Sequence, residues 1–169
     1  MEAFAQEFKN QCIYQMELNP PRIKTCFDQL SEADIWQKPN ESLNSIGNLV
    51  LHLCGNIRQY AISSLGQSTD VRSRSEEFSA TGGFSKSELI QKLDATVAEA
   101  VQTIRNVSEE ELMRKRMVQG FEYSGIGIII HVTEHFSYHT GQIAFWTKQL
   151  KNKDLGFYAD RDLEIKNDD

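Results

Sequence analysis

The segment from Gly125 to Lys151 constrains the fold most strongly, because its apolar residues recur every three or four positions along the whole stretch. This spacing predicts a long amphipathic α-helix that buries one face. The residues of the apolar stripe are Ile128, Ile129, Val132, Phe136, Ile143, Trp146 and Leu150. The segment is the last of four main helices that the sequence predicts.

Three other segments carry helical patterns with recognisable ends. The first covers residues 2–30 and contains "NPPR" at Asn19–Arg22, where the two prolines must break or kink the helix. The second runs from Ser45 to Ser64 and ends near Gly66. The third begins with the capping-box pattern "SKSE" at Ser85–Glu88 and continues to Asn106. Short helices are predicted after Ser31 and Ser108, and residues 113–124 have room for a hairpin.

The connection between the second and third helices, residues 66–84, is polar and unusually long. A helix of 20 residues is about 30 Å long, and an extended chain of this length can cross that distance. The second and third helices can therefore run parallel. We expect an all-α four-helix bundle in a single domain of residues 1–151, followed by a charged C-terminal tail, residues 152–169.

Composition argues against several classes of protein. The net charge of −6, with "RKR" at Arg114–Arg116 as the one basic cluster, is unsuited to binding nucleic acid. No apolar run approaches the ~20 residues of a membrane-spanning helix, and the N-terminus lacks the pattern of a signal peptide. The number of cysteines is odd, and no two of them have C-x-x-C spacing: they are Cys12, Cys26 and Cys54. This pattern is typical of reduced cysteines. We therefore expect a cytoplasmic protein.

Three of the four histidines lie in "HVTEHFSYHTGQ" at intervals of four residues. On a helical wheel, His139 lies about 20° from the centre of the apolar stripe, His135 about 60° and His131 about 100°. His131 and His139 are separated by about 12 Å along the axis. That distance is too long for both to bind one ion through metal–nitrogen bonds of about 2.0–2.1 Å. The wheel favours His135 with His139.

A catalytic zinc ion usually has three protein ligands and one open position. The remaining histidine, His52, lies beside the apolar stripe of the second helix, one turn from Asn48 and from Asn56. Helical bundles build metal sites from ligands on facing helices. The alternative is that these histidines are hydrogen-bonded core residues, with His131 at the surface or beside the ligands.

A competing motif is the "HVTEH" of His131–His135, which matches the inverted zincin pattern H-x-x-E-H. In that pattern Glu134 would be the general base. The motif needs a third ligand further along a much larger protease fold, and 34 residues follow His135. A peptidase of this type is therefore not expected.

Two blocks together, "SIGNLVLHLCGN" at Ser45–Asn56 and "EHFSYHTGQI" at Glu134–Ile143, resemble the DinB/YfiT-like superfamily, most closely a branch catalogued as a domain of unknown function. The resemblance implies an up-down-down-up four-helix bundle. It also implies a divalent metal ion, Zn2+ or Ni2+, bound by His52, His135 and His139. Relatives include S-transferases and isomerases that use low-molecular-weight thiols such as bacillithiol, mycothiol or glutathione, and many are homodimers.

Our first hypothesis is an enzyme in which the metal activates a thiol or water to react with a small-molecule substrate. Glu134 and Gln142 are candidates for catalytic residues, and Tyr138 is a candidate pocket residue. The second hypothesis is a non-catalytic bundle dimer in which the metal is structural or the histidines merely pack. A fourth protein ligand would favour the second hypothesis.

Overall fold

The structure is a computed structural model that describes residues 2–167. Within this range the chain forms eight α-helices, one π-helical segment and one β-hairpin. The elements are α1 (Glu2–Glu17), α2 (Asn19–Gln29), α3 (Glu32–Trp36), α4 (Ile46–Ile57), the π-helical segment (Arg58–Leu65), α5 (Arg74–Ser79), α6 (Lys86–Asn106), α7 (Glu109–Met113), β1 (Lys115–Val118), β2 (Phe121–Ser124) and α8 (Gly125–Lys151).

The predicted helix ends are confirmed where local side chains define them. Ser31, Ser45 and Ser85 each cap a helix, and in each case the third helical residue returns a hydrogen bond to the cap. These reciprocal bonds satisfy amide groups that have no partner within the helix. The prolines of "NPPR" occupy the first turn of α2, where a missing N–H costs nothing, so α1 and α2 meet at a break near Leu18.

Contacts between helices α4 and α6 show that they run parallel. Cys54 lies beside Thr96. One turn further along both helical segments, Arg58 at the start of the π-helical segment forms a salt bridge with Glu99. The crossover from residue 66 to residue 84 therefore returns the chain to the start of the bundle, as its length predicted. It contains the short helix α5, which the sequence reading did not predict.

Helix α8 runs antiparallel to α4, because residues later in α8 contact residues earlier in α4. His135 contacts His52, whereas His131 contacts Asn56.

Helices α1 and α2 run in the same direction as α8. Cys12 lies beside Thr133, and Cys26 lies beside Thr147. Together with the two preceding relations, this arrangement confirms the up-down-down-up bundle.

The β-hairpin between α7 and α8 confirms the hairpin considered for this segment. Its strands pair antiparallel from Lys115 opposite Ser124 to Val118 opposite Phe121. The two-residue turn is Gln119–Gly120, and both residues have positive φ, as tight hairpins require.

Apolar side chains from all four long helical segments form one core. Its largest fully buried members include Tyr60, Phe136, Met16, Ile23, Leu53, Leu93 and Ile128. No helix within residues 2–167 is long and apolar enough to cross a bilayer.

The core continues past Lys151, because Leu155 is buried and Phe157 packs against the bundle. The predicted tail therefore begins against the bundle rather than free of it. Its boundary at Lys151 stays a prediction, and its last two positions, 168 and 169, lie outside the described residues.

Candidate metal centre

Helices α4 and α8 bring together the three histidines that the sequence singled out as ligands. The Nε2 atoms of His52 and His135 are 3.0 Å apart. One ring nitrogen from each of His52, His135 and His139 lies within 4.8 Å of the others. Nitrogen ligands of a tetrahedral ion with bonds of 2.0–2.1 Å are about 3.4 Å apart. The spacing of the three rings therefore fits a single divalent ion after small adjustments.

The electrostatics of the cluster keep the imidazoles of His135 and His139 neutral. Burial, followed by the neighbouring histidines, lowers the pKa of His135 to about 3. Burial is also the main cause that lowers the pKa of His139 to about 4. A histidine binds a metal through the lone pair of its neutral form. These two rings are therefore ready to bind an ion at neutral pH without first losing a proton.

A carboxylate and an arginine from the crossover hold the ring of His52. The Nδ1 atom of His52 lies 2.9 Å from Oε2 of Glu77. Arg72 donates from Nε to Oε1 of Glu77 over 2.7 Å and from Nη2 to Oε2 over 2.8 Å. Because an ionised carboxylate only accepts, the contact with Glu77 assigns the proton to Nδ1 of His52. Nη2 of Arg72 also lies 3.1 Å from Nδ1, but its shorter contact is with Glu77. The Nε2 lone pair of His52 then faces the other two histidines.

The Arg72–Glu77 pair is buried, with side-chain exposures of 2% and 8%. Burial alone would raise the pKa of the Glu77 carboxyl, but the hydrogen bonds and charges of Arg72 and His52 together lower it. Glu77 is therefore ionised beside His52, which is the usual arrangement behind a metal-binding histidine. Sequence reasoning missed both residues, since they lie in a segment that looked like a polar loop.

Gln142 orients the second buried ligand. Its Oε1 atom accepts a hydrogen bond from Nδ1 of His139 over 2.7 Å, so that His139 also presents its Nε2 lone pair to the cluster. The Nε2 group of Gln142 donates to the hydroxyl of Tyr138 over 3.3 Å. Glu134, the other candidate catalytic residue, is exposed and lines a separate groove between α1 and α8.

His131 lies outside the cluster, behind His135. Its Nε2 atom accepts from Nδ2 of Asn56 over 3.1 Å, and its ring stacks on Tyr60 with centroids 4.2 Å apart. Burial lowers the pKa of His131 as well. His131 is therefore not part of the metal-binding group. This agrees with the separation of about 12 Å between His131 and His139 along α8.

A cavity of about 1070 Å³ opens directly onto the three histidines. Its walls come from the segment before α4, from α4 itself, from α5 and from the second half of α8. The larger apolar side chains among them are Leu43, Leu49, Phe78, Tyr138, Phe145 and Trp146. The volume is sufficient for a small organic ligand beside an ion.

Comparison with known proteins agrees with this architecture. Residues 3–159 match the model of the family described as "Protein of unknown function (DUF1572)". The chain belongs to this family. No curated protein matches the DUF1572 chain.

Solved structures place the DUF1572 chain among DinB-like folds. It is similar to a DinB-like protein from Bacillus subtilis, with a TM-score of 0.65 and 17% identity, covering 85% of this chain and 94% of the other. It is also similar to a conserved protein from Enterococcus faecalis, with a TM-score of 0.73 and 16% identity, covering 85% and 97% respectively. The chain therefore has the fold of a DinB-like helical bundle, and these likenesses establish the fold alone.

Proposed function

We propose that this protein is a divalent-metal-dependent enzyme that acts on a small molecule at His52, His135 and His139. The observation that carries the proposal is the convergence of three imidazole nitrogens within 4.8 Å at the wall of a large cavity. Three neutral ligands leave the charge of a bound ion uncompensated and leave one coordination position for substrate.

Zinc or nickel is the proposed ion, because both bind well to imidazole nitrogen. When bound, such an ion lowers the pKa of a coordinated thiol or water so that it is deprotonated near neutral pH. The reaction we propose is transfer of a low-molecular-weight thiol to an electrophilic substrate, with metal-assisted hydrolysis as the close variant.

The side chains around the cluster have defined tasks in this proposal. Glu77 fixes the tautomer and ring orientation of His52, and Gln142 does the same for His139. Gln142 lines the cavity and is the side chain proposed to make a polar contact with substrate. Glu134 is not assigned this contact, because it lines the neighbouring groove.

The non-catalytic alternative is a bundle whose metal is only structural. Such a site usually closes with a fourth protein ligand, whereas the group of possible ligands found within residues 2–167 contains three histidines. The Nε2 atom of His131 is already bonded to Asn56. An open fourth position therefore favours the catalytic proposal.

A homodimer and a cytoplasmic location also belong to the proposal. Exposed apolar side chains on α1 and α8, among them Phe4 and Ile130, support self-association. Free Cys12, Cys26 and Cys54 support a reducing compartment. Light scattering of the purified protein tests the first point, and thiol labelling in intact cells tests the second.

Metal content tests the main proposal directly. Tag-free wild-type protein and its His52→Ala, His135→Ala, His139→Ala and His131→Ala variants are analysed by mass spectrometry after incubation with zinc or nickel and desalting. We expect about one ion per chain in the wild type and in His131→Ala, and a loss of metal from the other three variants. His131→Ala is the matched control, because it removes a histidine from the same helix without removing a proposed ligand.

A wild-type protein that stays empty after incubation with either metal would refute the proposed function. Loss of metal from His131→Ala alone would show that the assigned ligand set is wrong. If the expected pattern is found, the loaded protein is assayed for transfer of small thiols to electrophiles.

A further inference from the structure

The walls of the cavity carry charge of one sign. Among the described residues that line the cavity, Arg74 is the one Lys or Arg, and none is Asp or Glu. This distribution is notable in a chain with a net charge of −6. A positive group on a low-dielectric wall attracts anions and disfavours cations.

Arg74 is placed close to the metal centre. Its guanidinium carbon lies 4.7 Å from the centre of the Phe78 ring, and the same ring lies 4.8 Å from the ring of His52. The guanidinium is therefore separated from a proposed metal ligand by a single aromatic side chain.

The guanidinium of Arg74 has no carboxylate partner among residues 2–167. Arg72, two positions earlier, is buried and bonded to Glu77 through two nitrogens. Arg74 is exposed at the cavity and is held by its contact with Phe78 rather than by an ion pair. Its hydrogen-bonding nitrogens are therefore available to a ligand.

A tryptophan at the cavity wall can report on ligand binding. Trp146 lines the cavity, whereas its indole Nε1 is buried and makes no hydrogen bond within the described part of the chain. Because the Nε1 atom is inaccessible from the cavity, a ligand would contact the indole ring rather than its N–H. The other tryptophan, Trp36, donates its Nε1 proton to the carbonyl of Phe84.

We infer that the substrate class of this cavity is a small organic carboxylate with an apolar body. Arg74 binds the carboxylate, and Phe78, Phe145 and the indole ring of Trp146 pack against the carbon skeleton. A planar carboxylate matches the fork of a guanidinium, which can donate two parallel hydrogen bonds to it. This inference rests on the proposed function for the position of the reacting atom, although the charge of the walls is independent of any metal.

The two indole N–H signals give a direct test by proton–nitrogen NMR. The Trp146 signal is assigned by its absence in Trp146→Phe, and the Trp36 signal is an internal reference. Metal-free and zinc-loaded protein are titrated with 3-phenylpropanoate and with 3-phenylpropanamide, its neutral analogue. We expect the Trp146 signal to move with the carboxylate and the amide to bind about tenfold more weakly or worse, because a charge-assisted bond is lost.

Arg74→Gln should remove this preference, whereas Arg105→Gln, which changes an exposed arginine on α6, should retain it. A wild-type protein that binds the amide as tightly as the carboxylate would overturn the inference. So would an Arg74→Gln variant that retains the preference.

Two further ligands distinguish the sources of the carboxylate. On zinc-loaded protein, 3-mercaptopropanoate is compared with 2-mercaptoethanol, which lacks the charge. If Arg74→Gln selectively weakens the charged thiol, the carboxylate belongs to the thiol substrate. If it weakens only 3-phenylpropanoate, the carboxylate belongs to the partner of the thiol. A wild type that binds no zinc but prefers the carboxylate would refute the proposed function and leave this inference standing.

Discussion

Glu77 determines how His52 is presented, although it lies 25 positions away in sequence. Its carboxylate accepts from both His52 and Arg72, so the proton of the imidazole stays on Nδ1. The opposite nitrogen is then free to bind a metal. Removing such a carboxylate partner typically costs 10–100-fold in metal affinity.

The substitution Glu77→Gln tests this role. We expect zinc to bind about 10–100-fold more weakly, because the amide cannot accept from Arg72 and His52 as the carboxylate does. The affinity is measured by competition with a chromophoric chelator. Glu76→Gln, at the exposed preceding position, is the matched control and should retain wild-type affinity. Equal affinities for both variants would show that Glu77 does not support the ligand.

The convergence of the three histidines was predictable from the sequence, and Gln142 was among the candidate residues, whereas Arg72 and Glu77 were missed. His135 and His139 lie one turn apart on a long helix, so the wheel alone indicates their common face. His52 could be added because bundle helices face one another. Arg72 and Glu77 belong to an irregular segment, and only the path of the backbone brings them to α4.

At the scale of elements, α4 and α5 approach unusually closely at Gly55. A Cβ atom added to Gly55 would lie 1.8 Å from Oε1 of Glu77 and 3.0 Å from Nε of Arg72. The backbone of α4 thus leaves the space in which the buried ion pair sits. A glycine within a helix costs about 0.5–1 kcal/mol relative to alanine, and here the missing side chain has a clear use.

Gly55→Ala should displace the Glu77 carboxylate from α4. We expect zinc affinity to fall by about as much as in Glu77→Gln, roughly 10–100-fold. We also expect the free energy of unfolding in urea to fall by about 1–3 kcal/mol from overpacking. Gly141→Ala on α8 is the control, because an added Cβ meets nothing within 4 Å. That variant should be stabilised by about 0.5–1 kcal/mol; a stabilised Gly55→Ala would contradict the close approach.

Elements with local signals were predicted and elements without them were missed. Capping residues define the starts of α3, α4, α6 and α7, and each of these helices appears where its serine predicted. Helix α5 spans six residues, which is too short for a periodic pattern to develop. The π-helical segment was predicted as ordinary helix, since the residue types of Arg58–Leu65 do not distinguish the two kinds of helix.

For the whole molecule, the length of the crossover was sufficient to predict the relative directions of the helices. The burial of ionisable groups was less predictable, and it gives the metal-free protein a characteristic pH dependence. Burial holds the pKa of His135 at about 3 and that of His139 at about 4 in the folded chain. An unfolded histidine has a pKa of about 6.5.

Below pH 6.5 the histidines of the unfolded chain therefore take up protons that the folded chain excludes. The free energy of unfolding decreases as the pH is lowered. We expect the free energy of unfolding of metal-free protein, measured in urea with a chelator present, to fall steadily from pH 7 to pH 5. Between pH 7 and pH 5 the carboxyl groups contribute little to this change in the free energy of unfolding, because their pKa values are about 4. A His135→Gln/His139→Gln double variant should give a flatter profile. A wild-type profile as flat as that of the double variant would contradict the assigned burial.

The contact between His52 and His135 joins positions 83 residues apart in sequence. An ion held by both rings would act as a reversible cross-link between the second and fourth long helical segments of the bundle. An ion that binds the folded chain alone stabilises it by mass action, by about 2.7 kcal/mol at a free concentration 100 times the dissociation constant. The ion would then hold α4 against α8, and its removal by a chelator would loosen the bundle beside the cavity that the histidines line.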